Sequence, residues 1–184
     1  DNAHKIVGNR SFSKNVKNVK ILADHCIYGY KKNKIGTVVK HIPGHGRATS
    51  DSHKKLPIVN TNYKTLLRTD FKCFMGTKSF FAMTAHILYK KIDPKNVSTH
   101  SEIIIKKIIR EKMGFRGLII SDDVSMKALK FNIFENAKRA LDAGCNLVLY
   151  CEGKSKISEK LLKDSPYIDS FTQKKTSEFY SFLS

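Results

Sequence analysis

The 184-residue chain predicts an α/β fold built on a parallel sheet. Three observations carry that expectation: short runs that are apolar on both faces recur along the chain, amphipathic helical stretches separate them, and each run breaks off into a polar or glycine-bearing loop. The pattern fits an open α/β sheet or part of a barrel. Neither G-x-G-x-x-G nor G-x-x-x-x-G-K-[ST] follows any of the runs, so dinucleotide and P-loop functions drop out.

The elements follow in order. Residues 1–13 read as loop, and Ser13 is placed to cap a helix over 14–30 with Val16, Val19, Ile21, Leu22, Ile27 and Tyr30 as its apolar members. A strand over 35–39 opens at Lys40-His41-Ile42-Pro43-Gly44-His45-Gly46 into a long polar loop that ends at Leu56-Pro57. A helix over 63–74 packs Leu66, Leu67, Phe71 and Phe74. A second strand over 80–87 contains Met83-Thr84-Ala85-His86. Ser98, Thr99 or Ser101 can cap the next helix, whose Ile104, Ile105, Ile108 and Ile109 share one face and which Gly114 stops. A third strand over 117–120 runs into Ser121-Asp122-Asp123. A short helical piece over 124–129 and a helix over 133–143, stopped by Gly144, lead to a fourth strand over 146–151. Beyond Gly153 the pattern weakens into a Lys- and Ser-rich tail with a short helix near 157–162.

Composition limits the function classes. A hydrophobic fraction of 41% with 11 Phe and 7 Tyr supports a folded core, and the length suits one domain. The formal charge of +18 invites polyanion binding. Lys and Arg are nevertheless spread over every segment without a nucleic-acid motif, so a solvated lysine-rich surface and no nucleic-acid partner are expected. No run approaches the ~18 apolar residues of a membrane helix, and no membrane partner is expected. Cys26, Cys73, Cys145 and Cys151 form no C-x-x-C pair. They are expected to be buried free thiols in a reducing cytoplasm.

The strand ends carry the chemistry. In a parallel sheet Lys40-His41, His86 and Ser121-Asp122-Asp123 share one rim. The loop after His41 adds Asp51 and His53, which lie two apart and so face the same way in an extended segment. The carboxylate can hold Nδ1–H and leave Nε2 to exchange a proton. Asp122 is then placed to attack an acetal carbon while His53 protonates the leaving oxygen and later deprotonates water. That is retaining glycosidase chemistry, with a His-Asp dyad in place of the usual second carboxylate. Asp123 is expected to cap the following turn and His45 to support the loop, while His86 suits either a hydrogen-bonded core position or the pocket. His41, His45, Asp51 and His53 also form a zinc-type donor set, which makes a metallohydrolase the rival enzyme class.

These motifs, in this order, together with Gly8-Asn9-Arg10-Ser11-Phe12, Gly114-Phe115-Arg116-Gly117 and Ala143-Gly144-Cys145-Asn146, resemble the bacterial β-N-acetylglucosaminidases of glycoside hydrolase family 3, the enzymes of peptidoglycan recycling. The resemblance implies the C-terminal part of a (β/α)8 TIM-type barrel, incomplete in this chain, over residues 1–152, with 153–184 as a tail. It implies a cytoplasmic hydrolase that removes terminal β-linked N-acetylglucosamine from muropeptides, with no metal and no cofactor. Position by position, Asp122 becomes the nucleophile, His53 the acid/base and Asp51 its partner, while Arg10, Lys40 and His41 hydrogen-bond the sugar. His86 and Met126 fall near the pocket, and Asn146 stands where the family commonly has Asp.

A full barrel of this type takes about 250 residues. The first strands and one sugar-binding Asp are therefore expected outside this chain, which reads as the C-terminal part of a longer enzyme or as a truncated gene product, with a separately encoded N-terminal half as one candidate partner. The alternative is a catalytically inert or partner-dependent fragment. A neutral imidazole acid/base would also admit phosphate in place of water as acceptor.

Overall fold

The computed structural model describes residues 11–48, 50, 52 and 55–184; Arg10, Asp51 and His53 lie outside them. The order is α1 (Val16–Lys32), β1 (Val38–Ile42), β2 (Ile58–Val59), α2 (Tyr63–Arg68), a 3₁₀ turn at Phe71–Phe74, β3 (Phe81–Thr84) and β4 (Leu88–Tyr89). A 3₁₀ turn at Ser98–His100, a wide helix at Ile103–Lys112, β5 (Leu118–Asp123), α3 (Ile133–Ala143), β6 (Leu147–Leu149), α4 (Ser155–Asp164) and α5 (Ser170–Leu183) complete it.

The main sheet has four strands in the order β1-β3-β5-β6, with every pairing parallel. Spatial order thus repeats chain order, the arrangement of successive β/α units laid side by side in a barrel. Register gives the sheet two unlike faces. Val39, Ala82 and Ile119 align across neighbouring strands on one face. Ala82 and Ile119 are fully buried there beneath Ile104, Ile105 and Ile109 of the wide helix, Leu66, Phe71 and Ala140. Lys40, Met83, Ile120 and Leu147 align on the other face, where Lys40 is exposed and the other three are only partly covered. A parallel sheet ordinarily buries both faces; here one row stays half open.

Local chemistry explains the element ends. Asn15, not Ser13, caps α1 by accepting from the Lys17 and Asn18 amides, so the helix starts two residues later than the sequence suggested. Its apolar members are mostly outside: only Ile27 is buried, while Ile21, Leu22 and Tyr30 are exposed. The helix expected over 63–74 breaks at Thr69 into α2 and a 3₁₀ turn. The one starting near Ser98 divides into a 3₁₀ turn and the wide helix, which closes with an i→i−5 bond from Met113 N–H to Ile108 O. Gly144, at φ 111°, ends α3 as expected. The piece over 124–129 is not a helix. Val124 N–H is taken by Leu149 O, and Met126 and Leu129 close successive i→i−3 turns.

The tail is more ordered than its composition suggested. Asp169 caps α5 through the Thr172 amide, and Phe179 packs on Phe80 and Phe81 with ring centroids 5.2 and 4.9 Å away. Phe182 adds a contact to Phe80, and Lys31 Nζ lies over the Phe80 ring. Asn146 ties this end together: its Oδ1 accepts from Ile119 N–H and Arg110 Nη2, and its Nδ2 donates to Thr172 Oγ1. α5 therefore closes the sheet at the N-terminal ends of the strands, opposite Asp122.

Gly36 fits against Phe179 so closely that a Cβ would stand 2.5 Å from the ring edge. Phe179→Ala should lower the free energy of unfolding by about 3 kcal/mol, and Gly36→Ala should loosen α5 with part of the helical signal. Urea titration followed by circular dichroism measures both.

Candidate active site

β1, β3 and β5 end on a common rim, and their last residues bring a carboxylate and an imidazole together. His41 Nε2 lies 3.5 Å from Asp122 Oδ2, a loose contact rather than a short hydrogen bond. The Lys40–His41 and Ile42–Pro43 peptide bonds are cis, and the β1–β3 register skips at the same place. Burial lowers the His41 pKa to about 4; the Asp122 charge opposes the shift, and His45, Lys40 and His86 add to it. At neutral pH His41 is an uncharged imidazole. Lys40 is exposed and acts on His41 through its charge.

A chain of hydrogen bonds holds the backbone of the two aspartates. His86 Nε2 is 3.0 Å from Asp123 O, and Nδ1 is 2.7 Å from Thr99 Oγ1. A carbonyl only accepts, so Nε2 carries the proton, and in the neutral ring Nδ1 must accept from the Thr99 hydroxyl. The Thr99 oxygen then accepts from Thr84, 2.8 Å away, and Thr84 accepts from Asp122 N–H at 3.3 Å. The side chains concerned are essentially inaccessible to solvent. Among the described residues His86 is thus a buried histidine hydrogen-bonded to Thr99 and to the Asp123 carbonyl.

Asp123 turns away from chemistry. Its carboxylate accepts from Ser125 N–H, Ser125 Oγ–H and Cys151 N–H, fixing the turn after β5 and joining it to the end of β6. Asp122 keeps one carboxylate oxygen on the Asp123 amide and presents the other to His41.

The loop after β1 is fastened on both sides. At its start Tyr89 donates to Gly44 O at 2.6 Å, and Arg47 Nε to Asp70 Oδ2 at 2.7 Å. At its return β2 pairs parallel with β4. His45 sits beside His41, ring centroids 5.5 Å apart.

Of the six site residues expected from sequence, the structure joins Asp122 and His41 and leaves Lys40 at the rim's exposed edge. The others lie outside the described residues. Thr84, Thr99, Tyr89 and Asp70 were not anticipated; the hydroxyls beside His86 in the motif and in the Ser98-Thr99 cap were the available signal. Among the described residues no group of three His, Cys, Asp or Glu could hold a metal ion. The four thiols are free, but burial was expected for all and holds fully only for Cys145; Cys26 and Cys151 are exposed.

A half-open parallel sheet whose strands follow chain order and end in polar residues on one rim is the arrangement of part of a (β/α) barrel, the fold that carries its sites at the carboxyl ends of its strands. The chain belongs to glycosyl hydrolase family 3: the family's N-terminal domain matches residues 1–169. It is 37% identical over 153 residues to a beta-hexosaminidase of Shewanella frigidimarina, covering 80% of this chain and 45% of the relative. Against a beta-hexosaminidase of Methylobacillus flagellatus identity is 33% over 164 residues, covering 85% and 46%. The structure of NagZ from Neisseria gonorrhoeae in complex with N-trifluoroacetyl-D-glucosamine superposes with a TM-score of 0.85 at 29% identity, covering 99% of this chain and 52% of that one. The chain thus spans less than half the length of these two curated relatives.

Two outcomes follow from the geometry. Thr99→Val strips the partner from His86 Nδ1 and from Thr84 and should cost about 2 kcal/mol in denaturant unfolding. Burial also lowers His100, whose Nε2 meets Asn136 O, to about 4. The unfolded chain takes up these protons near ~6.5, whereas folded His41 and His100 wait until about 4. Their contribution to stability is thus complete above the first value and lost as pH falls towards the second. Melting curves across that window should show the decline, and His100→Gln should flatten it.

Proposed function

We propose that this chain is the catalytic half of a retaining glycosidase that removes terminal β-linked N-acetylglucosamine, acting when an N-terminal half completes the barrel. The observation that carries the reading is the Asp122 carboxylate at the tip of β5, held by its backbone and facing a neutral His41 at 3.5 Å. The relatives named beta-hexosaminidase and the NagZ complex with an N-acylated glucosamine support the substrate class.

Asp122 attacks the anomeric carbon. A C–O bond forms to the carboxylate as the glycosidic C–O bond breaks, and His53 Nε2–H supplies the proton to the departing oxygen. Water then adds at the same carbon, His53 takes its proton, and Asp122 leaves as carboxylate. Neutral His41 donates to a sugar hydroxyl beside it, with Lys40 and Arg10 as further sugar contacts and Asp51 orienting His53. Phosphate in place of water gives the sugar 1-phosphate by the same route. Peptidoglycan fragments are the substrate and the cytoplasm is the location that fit the resemblance. The N-terminal half pairs with the outer edges of β1 and β6.

The test is release of chromophore from a chromogenic β-N-acetylglucosaminide by the chain alone and with the N-terminal half of the Shewanella frigidimarina relative. Activity is expected in the mixture, a glycosyl adduct on Asp122 should be trapped by a slow fluorinated glycoside and seen by mass spectrometry, and Asp122→Ala should lose ~10⁴-fold in kcat. No release in either arm overturns the proposal. Parallel runs with phosphate read out the acceptor.

A further inference from the structure

We infer that Asp70 is a positioning residue which, with Arg47 and Tyr89, clamps the root of the loop after β1 and so sets the His41–His45 ring pair against Asp122. The inference deepens the reading of Asp122 as the reacting carboxylate and rests on it.

Gly44 leaves β1 with φ at 147°, and a Cβ there would stand 3.0 Å from the Asp70 Cβ. The loop backbone is therefore laid directly on Asp70, an approach only glycine permits. The Gly44 carbonyl is taken by Tyr89, whose phenol is raised above its ordinary pKa by burial first and the Asp70 charge second, so it stays a proton donor. Three residues further on, Arg47 returns to Asp70: its Nε meets Oδ2 at 2.7 Å and its Nη2 meets Thr69 Oγ1 at 3.2 Å. Thr69 Oγ1 is itself 2.8 Å from Asp70 Oδ2. Between these two anchors the chain turns through His45, with Ala48 N–H on His45 O and Ala48 sunk in the core.

The clamp therefore brackets the residue whose ring lies 5.5 Å from His41, and His41 in turn faces Asp122. A purely stabilising ion pair is the quieter account: Arg47 is 40% exposed and Asp70 9%, so losing the pair leaves a sheltered carboxylate without its cation and lowers stability as well. What this pair determines is where the turn sits. Lifting it uncovers His41, whose neutrality depends first on burial, with Asp122, His45, Lys40 and His86 as the charged or titratable neighbours.

The experiment uses this chain without a partner and needs no catalysis. The imidazole nitrogens of His41 and His45 are followed by NMR through a pH titration in wild type, Arg47→Ala, Asp70→Asn and Arg47→Lys. Arg47→Ala and Asp70→Asn should raise the His41 midpoint by about one unit towards the free-imidazole value and shift His45, and Arg47→Lys should restore most of the change. A drop in melting temperature with both imidazoles unmoved means a structural role only and overturns the inference, as do unchanged titrations without any drop. In the completed enzyme the same variants should lower kcat about tenfold with little change in KM. Absence of glycosidase activity would count against the proposed function while leaving the titration result to stand.

Discussion

The position of Asp122 depends on hydrogen bonds that do not touch its carboxylate. Thr84 at the end of β3, Thr99 in the turn beyond it and His86 between them link the Asp122 amide to the Asp123 carbonyl. In a buried setting each of these groups would be costly to leave unpaired. The bonds therefore act together, and they tie the ends of two neighbouring strands to each other more tightly than the parallel ladder alone. Backbone support of this kind fixes a carboxylate on a strand tip while leaving its second oxygen to face His41.

The same division of labour runs through the molecule. The carboxyl ends of the strands carry the Asp122–His41 pair, while the amino ends are occupied by aromatic rings and by the Asn146 amide linking Arg110, Ile119 and Thr172. Burial lowers even Arg110 to about 10 there, with its guanidinium held by the Phe115 and Gly117 carbonyls. Asn146 offers both a donor and an acceptor to this junction. On the helix surfaces Lys106, Lys107 and Lys138 pair with acids four residues away.

Much of this was legible in the sequence. Four main strands, the α3 boundaries and the Asp122 rim follow from apolar runs ending in charge, but β1 lies at Val38–Ile42 and takes in Lys40 and His41, which the expected strand over 35–39 had left to the loop. α1 was misjudged in the other direction: its apolar residues are real, but Ile21, Leu22 and Tyr30 face outwards, and periodicity cannot tell a covered stripe from an uncovered one. α5 was missed since its signal lies in Thr172, Thr176, Phe179 and Phe182 behind an Asp cap, diluted by Lys and Ser. The β2–β4 pair was invisible because two residues per strand carry no period, and its existence depends on a contact between distant segments. Asp70 was hidden for the same reason, and the partners of Thr99, which the sequence offered only as a helix cap, come from β3 and His86 rather than from its own helix.

The aromatic seal formed by Phe179 and Phe182 over Phe80 and Phe81 has a consequence for how the polypeptide emerges during synthesis. The rings at the foot of β3 are made early, yet their cover is α5, a helix that begins one residue after the family match ends. Until that helix leaves the ribosome, a nascent chain must carry an oily patch that invites chaperones or neighbouring nascent chains. Docking of α5 is therefore a late step in the order of synthesis, and a stop codon before Ser170 would release a product with its base unsealed while every described rim residue is already present.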